Sequence, residues 1–318
     1  MEYNKSIADW VSGDRIEGFY VLNDPKIRKT KTGKDYLSAV LSDASGRIEM
    51  KMWDFSAAID ERDNGRIVKI RGDVAEYRGT LQITLSHFRF AQEGDTYDRE
   101  SLIPSAPVDA EALLSELQAI LESLDDEDYR TICLTLLERN KTAFMAIPAA
   151  KSVHHAFLHG LLMHTTDMVR LADYLAEQYS EVINRSLLLA GTFLHDFGKR
   201  KEFAFSELGF VTDYSVSGTL LGHAYIGARM VADTAAELGV SEKKSELLQH
   251  MLLSHHGDPE FGAAVVPAIA ESELLSLIDR VDSRMEIYAE NLVKTDPNSL
   301  STRIFALDKR IYHHTLGT

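Results

Sequence analysis

The strongest constraint on this chain is a change of hydrophobic period near residue 92. Before it, apolar and polar residues alternate; beyond about residue 108, apolar residues recur every three or four positions. Period two belongs to strands with one buried face, and period 3.6 belongs to helices. The chain is therefore expected to be multidomain α and β, a β-barrel followed by an all-α domain. Its 318 residues suit two domains. The predicted boundaries are 1–92 for the first domain, 93–108 for a linker containing Pro104 and Pro107, 109–150 for a helical connector, and 151–318 for the second domain.

Five strands are predicted in the first part: Ile16–Asn23, Asp35–Asp43, a third through Ile48, Met50 and Met52, a fourth through Val68, Ile70 and Val74, and a fifth through Leu81, Ile83 and Leu85. A short helix is expected between Phe55 and Asp63. Three strands, a helix and two strands is the order of an OB-fold barrel, which binds oligonucleotides across strands 2–3 and the 1–2 and 4–5 loops. The predicted 1–2 loop, 24–34, holds Lys26, Arg28, Lys29, Lys31 and Lys34, five cations in nine residues. Tyr36, Lys51 and Trp53 fall on the strand face opposite Leu37 and Met50, and Tyr77 and Arg78 mark the 4–5 turn. Cations track phosphates and aromatic rings stack bases, so these residues are expected to bind a single strand. The competing account is a solvated charge run beside ordinary half-buried aromatics.

Charge supports the same division. The net charge is −15, yet residues 1–92 carry +1 and the remainder −16. Such an acidic chain does not coat DNA without regard to sequence. A nucleic acid would be gripped locally, by the first part, while the carboxylate-rich second part suits divalent cations.

In the second part, Asp109–Leu124 is amphipathic with Asp109 as N-cap, and another helix is expected around Tyr129–Asn140. His164 stands at the start of a long helix reaching about Tyr179. It is followed by the His195-Asp196 doublet, by His223, by the His255-His256 pair and by Asp279 with Asp282. The gaps are 31 residues from His164 to His195, 27 from Asp196 to His223, 32 from His223 to His255 and 24 from His255 to Asp279. Each gap fits one helix and a connection, so successive helices can bring ligands to one centre. Imidazole and carboxylate suit Mn, Fe, Zn or Ni, and two ions about 3.5–4 Å apart would serve in-line attack on a phosphodiester. Burying His195 beside Asp196 on the apolar helix Leu187–Leu194 is costly without a metal or partners. Lys199, four residues after His195, is expected on the same helix face, where it can reach a phosphate oxygen.

The order His164, His195-Asp196, Asp279 resembles the H…HD…D signature of the HD metallophosphohydrolase superfamily, and His223 with His255-His256 resembles its two-metal members. An OB-fold before such a domain is similar to the YhaM-type 3′→5′ exoribonucleases of bacteria. The likeness covers nearly the whole chain, including Gly160-Leu161-Leu162-Met163-His164-Thr165 and His195-Asp196-Phe197-Gly198-Lys199. The resemblance implies a metal-dependent enzyme, preferring manganese over Fe, Ni, Zn or Mg, that shortens single-stranded RNA from its 3′ end and acts secondarily on single-stranded DNA. Polarity comes from the resemblance alone. Carried over by position, the metal ligands are His164, His195, Asp196, His223, His255 and Asp279. His256 is a further ligand or substrate contact, and Lys199 acts in catalysis with His195 and Asp196. Asp279 is preferred to Asp282 because the family's late aspartate opens an Asp-x-x-Asp element. After His255-His256 comes Gly257-Asp258-Pro259-Glu260-Phe261, without the Gly-Tyr-Pro of the cyclic-dinucleotide phosphodiesterase branch.

Two other function classes compete: a phosphohydrolase of small nucleotides with a regulatory OB-like domain, and a nucleic-acid-binding scaffold with a structural metal. The basic 1–2 stretch weighs against the former, and the full ligand set with Lys199 against the latter. Met1–Lys5 has no signal-peptide character, and no apolar run approaches the roughly 20 residues that cross a bilayer. A cytoplasmic protein without membrane contact is expected, with homo-oligomers open. Cys133, the single cysteine, is read as a buried inert thiol. His154, His155 and His159 are read as surface or supporting groups, His313 and His314 as exposed, and Asp125–Asp128 as a solvated helix start. Leu274, Ile278, Val281, Met285 and Tyr288 are read as core packing around Asp279.

Overall fold

A computed structural model describes residues 2–30, 32–77, 79–98, 100–102, 109–148, 158–205 and 211–316. Lys31, Arg78, His154 and His155 lie outside the described residues. The chain divides into two compact units, Met1–Ser105 with Phe205–Thr212, and Ala106–Ala204 with Asp213–Thr318.

The first unit is a closed barrel. Its strands are β1 (Glu2–Tyr3), β2 (Arg15–Lys29), β3 (Asp35–Ser42), β4 (Arg47–Trp53), β5 (Ile67–Tyr77) and β6 (Thr80–Phe90). Strands β2, β3 and β4 pair antiparallel in sequence order, β4 pairs parallel with β6, β6 pairs antiparallel with β5, and β5 returns to β2. Closure removes the open edge, and alternation sends Ile16, Leu22, Leu37, Met50, Ile70 and Ile83 into one core. This is the OB-fold that the strand order predicted.

Two local expectations fail. The first strand continues to Lys29, so the supposed long basic loop is mostly strand. At Asp24, which has φ 48°, the ladder shifts register. It resumes with Lys26 opposite Ser38 and Arg28 opposite Tyr36. The backbone hydrogen bonds offered by β3 outweigh repulsion among exposed cations, which water and salt screen. At the end of the ladder the Thr30 N–H donates to the Lys34 carbonyl at 2.8 Å. The expected helix between Phe55 and Asp63 is only a 3-10 turn at Glu61–Asp63. There the carboxylates of Asp60 and Asp63 accept the backbone N–H groups of Arg62 and Asp60, an alternative to helix formation.

The second unit is helical: α1 (Ala110–Glu122), α2 (Glu127–Ala146), α3 (Gly160–Gln178), α4 (Arg185–Leu194), α5 (Lys199–Glu202), α6 (Val216–Leu238), α7 (Glu242–Ser254) and α8 (Ala270–Val293). A short pair of strands, β7 (Phe203–Phe205) and β8 (Val211–Tyr214), lies between α5 and α6 in the sequence. Asp109 caps α1 as predicted, accepting from the Glu111 and Ala112 N–H groups. Helix α4 is the axis of the unit. Ser186–Leu194 are all buried, and α2, α3, α7 and α8 pack around it.

The acidic run before α2 is more than a solvated cluster. Asp126 caps the helix and, with Asp128, holds Lys244 at 2.7 and 2.6 Å. Cys133 is buried, and burial pushes its thiol pKa well up, so it stays protonated. His159 donates to the Met145 carbonyl, and His313, expected exposed, is half-buried and donates to Thr295. His314 is exposed. The stripe drawn on α8 is also rotated: Leu275 and Ile278 are buried, whereas Val281 and Met285 are 49% and 56% exposed. Leu275 and Ile278 are covered in the first half of α8 and Ile287, with Ile304 and Ile311, in the second, so periodicity alone misjudged which side is covered. Among the described residues, no helix is long and apolar enough to cross a membrane.

Candidate metal centre and nucleic-acid face

Six helix-borne positions bring the predicted ligands together. His164 is in the second turn of α3, His195 and Asp196 immediately follow α4, His255 immediately follows α7, and Asp279 is midway along α8. His223 follows a break in α6, where Gly222 has φ 70° and ψ 158°. The turn after α4 can approach α6 only because residue 198 is glycine: a Cβ there would lie 2.1 Å from the His223 carbonyl oxygen. Helix α4 stops at Leu194, so Lys199 does not share a helix face with His195. It opens α5 instead, and its Nζ reaches Asp196 Oδ2 at 2.6 Å.

Four imidazoles are held by Nδ1. His164 Nδ1 donates to Asp282 at 2.7 Å, His195 Nδ1 to the Thr192 carbonyl at 2.7 Å, His255 Nδ1 to the Leu252 carbonyl at 2.7 Å, and His223 Nδ1 to Glu202 at 3.0 Å. A neutral imidazole that donates through one nitrogen presents a lone pair on the other, which is how proteins orient histidine for metal. The Nε2 atoms converge: His164 to His195 at 3.3 Å, and His223 to His255 at 3.4 Å.

Asp196 lies between these pairs. Its Oδ2 is 3.3 Å from His195 Nε2 and 3.7 Å from His164 Nε2, while Oδ1 is 3.3 Å from His223 Nε2 and 4.0 Å from His255 Nε2. Asp279 Oδ1 stands 3.6 Å from His164 Nε2. Two groups of potential ligands result, His164–His195–Asp196 and His223–His255–His256, each with ligand atoms within 4.8 Å of one another. Asp196 Oδ1 and His256 Nδ1 are buried without any hydrogen-bond partner. Buried oxygen facing nitrogen lone pairs is unfavourable unless a cation sits among them, so the residues fit divalent metal. The geometry also separates the two aspartates of α8: Asp279 faces the Nε2 side of His164, and Asp282 its Nδ1 side.

The charges are consistent with this. Burial would raise the Asp196 carboxyl, but Lys199 and His195 more than offset it and hold it well below the usual range. Burial opposes the Lys199 charge, yet Asp196 keeps the ammonium protonated. Burial pushes His195 down, but Asp196 outweighs it and lifts the imidazole, a proton whose place a metal cation can take. His255 and His256 are depressed chiefly by burial, and then by neighbouring imidazoles, and so remain neutral. The centre opens into a cavity of ≈ 480 Å³ whose lining includes Lys199, His256, Phe261, Arg280 and Arg284. Sequence reasoning missed Glu202, Arg280 and Arg284, for which a single sequence offers no signal beyond their charge, and left Asp282 as the alternative ligand.

On the barrel, Tyr36 and Trp53 are cross-strand partners with ring centroids 4.9 Å apart. Lys51 pairs with Gln82 at 3.0 Å and lies 5.5 Å from the Tyr77 ring centroid. Lys26, Arg28 and Lys29 are exposed on the extension of β2. Lys34 is tied to Asp54 at 3.0 Å. By the ladder register, Lys26, Arg28, Tyr36, Lys51 and Trp53 share one side of the strands, opposite the buried Leu37 and Met50, whereas Lys29 alternates to the other side.

Residues 161–284 match the family HD domain, and residues 6–90 match the family described as OB-fold nucleic acid binding domain. The chain thus has an OB-fold followed by an HD domain, and it is the HD domain that indicates a metal-dependent phosphohydrolase. Among solved structures, the second OB-fold domain of replication protein A from Methanococcus maripaludis is 17% identical, with 30% of this chain and 100% of that chain covered and a TM-score of 0.22. An OB domain from Thermoplasma acidophilum is 14% identical, with coverages of 30% and 92% and a TM-score of 0.24. A replication protein A heterotrimer bound to ssDNA is 17% identical, with coverages of 27% and 64% and a TM-score of 0.21.

Proposed function

We propose that this protein, an HD phosphohydrolase domain behind an OB-fold, is a cytoplasmic 3′→5′ exonuclease of single-stranded RNA, with single-stranded DNA as a second substrate. The observation that carries the hydrolytic reading is Asp196, whose orphaned Oδ1 is buried against the Nε2 atoms of His223 and His255 while its Oδ2 faces those of His195 and His164. In this reading His164, His195, Asp196 and Asp279 hold one divalent ion, and His223, His255 and His256 with Asp196 hold a second, manganese being preferred. Bound ions would supply Lewis acidity and charge neutralisation to a phosphodiester under in-line attack. The chain supplies the rest. Asp282, Thr192, Leu252 and Glu202 fix the imidazoles, and Asp196 spans the two groups. Lys199, held charged by Asp196, keeps donors for a phosphate oxygen. On the barrel, Tyr36 and Trp53 offer stacking surfaces, and Lys26, Arg28 and Lys29 offer phosphate contacts. The 3′→5′ direction and the preference for RNA rest on the resemblance of the whole arrangement to YhaM-type enzymes.

The test is incubation of 5′-labelled single-stranded RNA with purified protein, with and without Mn²⁺. A descending ladder that requires metal, with paired duplex resistant, is the expected result. Internal cuts first, or rapid hydrolysis of cyclic dinucleotides with RNA untouched, would overturn it in favour of a small-nucleotide phosphodiesterase.

A further inference from the structure

The cavity over the metal centre carries cations that the hydrolytic reading does not use. Of the three that line it, Lys199 is committed to Asp196. Arg280 and Arg284 have no acidic partner among the described residues. Elsewhere in this acidic part of the chain, Arg139, Arg170 and Arg185 are bound to Glu237, Glu116 and Asp173. The two arginines sit one helical turn apart on α8, one and five residues after Asp279, with Ser283 between them also lining the cavity. Arg280 is not adrift: its guanidinium lies 5.3 Å from the centroid of the Phe261 ring, which is itself part of the lining. Two guanidiniums at the rim of a cavity, beside but outside the ligand groups, are forks for an anion that is not the reacting one. At 1.5 Å of rise per residue, Arg284 is displaced about 7.5 Å along α8 from Asp279, roughly a nucleotide's reach.

The geometry points to a second phosphate subsite: Arg280 and Arg284 bind the phosphodiester next to the one being cleaved, so the centre recognises a strand rather than a lone phosphodiester. This rests on the phosphodiesterase reading above and adds to it which residues read the neighbouring phosphate. Bulk charge does not explain it, since the surrounding domain repels a polyanion. The arginines lower that barrier at one place.

The experiment compares three substrates in Mn²⁺: bis(p-nitrophenyl) phosphate and UpU, each with one phosphodiester, and UpUpU, with two. Losing charge-assisted hydrogen bonds to one phosphate should lower kcat/KM by about 10- to 100-fold. R280Q/R284Q is therefore expected to lose that factor on UpUpU while UpU and bis(p-nitrophenyl) phosphate stay within about twofold, and the wild type should prefer UpUpU to UpU by a similar factor. R280K/R284K, which keeps charge without the fork, should fall between, and it guards against a folding defect in the glutamine variant. An equal fall on all three substrates, or no fall on UpUpU, would overturn the subsite while leaving the hydrolytic reading intact. Absence of wild-type turnover on all three would instead overturn the hydrolytic reading, and the subsite with it.

Discussion

Asp282 Oδ2 lies 2.7 Å from His164 Nδ1, and that bond decides which nitrogen of His164 faces Asp196. The pair joins the middle of α8 to the beginning of α3 across 118 residues of sequence. Both side chains are largely buried, so the carboxylate has little competition from water and the ring cannot turn freely.

Removing that support should be felt in metal affinity before it is felt in fold. Asp282→Ala is expected to weaken Mn²⁺ binding by about 10- to 100-fold, and Glu202→Ala to do the same through His223. Calorimetric titration of chelator-stripped protein measures this, with circular dichroism to show that helix content is kept. Affinity equal to wild type in both variants would mean that the imidazoles are positioned by packing alone.

Asp196 and His223 make different predictions about stoichiometry. Asp196→Ala removes the carboxylate shared by both groups and should strip nearly all transition metal and all hydrolysis. His223→Ala should spare the ion held by His164, His195 and Asp279. Elemental analysis of the purified variants separates these outcomes. Wild-type protein without transition metal, and with activity indifferent to a chelator, would count against any metal centre here.

The basic strand should act on grip and not on chemistry. Replacing Lys26, Arg28 and Lys29 with glutamine removes up to three phosphate contacts. Each contributes about 0.7 to the slope of log K against log salt on single strands, so the slope should flatten by up to ~2. Affinity for a long RNA measured across a salt series tests this, while turnover of a model phosphodiester should hold steady. A slope identical to wild type would assign the barrel another role.

Gly198→Ala should cost stability far beyond its single methyl. Its Cβ would press on the His223 backbone carbonyl and on Gly227, and neither is a flexible side chain that can swing away. Overpacking of this kind costs about 1–3 kcal/mol. A lowered Tm together with weakened metal binding is expected, because the same displacement moves His223.

Much of this architecture was legible because it is local. Alternation over Ile48–Met52 or Leu81–Leu85 commits a segment to a strand with one apolar face, and the spacing of Leu113, Leu117 and Leu121 commits another to a helix. The intervals between histidines already implied one ligand per helix, and Asp109 announced its helix. Failures occurred where a decision passed to a distant partner. Nothing between Asp24 and Lys29 says that β3 will pair with it, and the charges there suggested a loop. On α8, a stripe through Ile278, Val281 and Met285 is as periodic as the true one, but the bundle covers only the side that Leu275 and Ile278 share.

The sequence by itself therefore determined the two periodic regimes, the strand order that closes a barrel, and the roster of imidazoles and carboxylates. Those depend on side-chain character within a few residues. Only the tertiary structure decided that Asp196 divides its oxygens between two imidazole pairs, that Asp282 supports His164 while Asp279 faces its Nε2, that Glu202 holds His223, and that Arg280 and Arg284 share a cavity with His164, Asp196 and Asp279. Each of those facts is a distance of a few ångströms between atoms far apart in the chain. Such distances follow from how whole helices pack around α4, which no short stretch of sequence encodes.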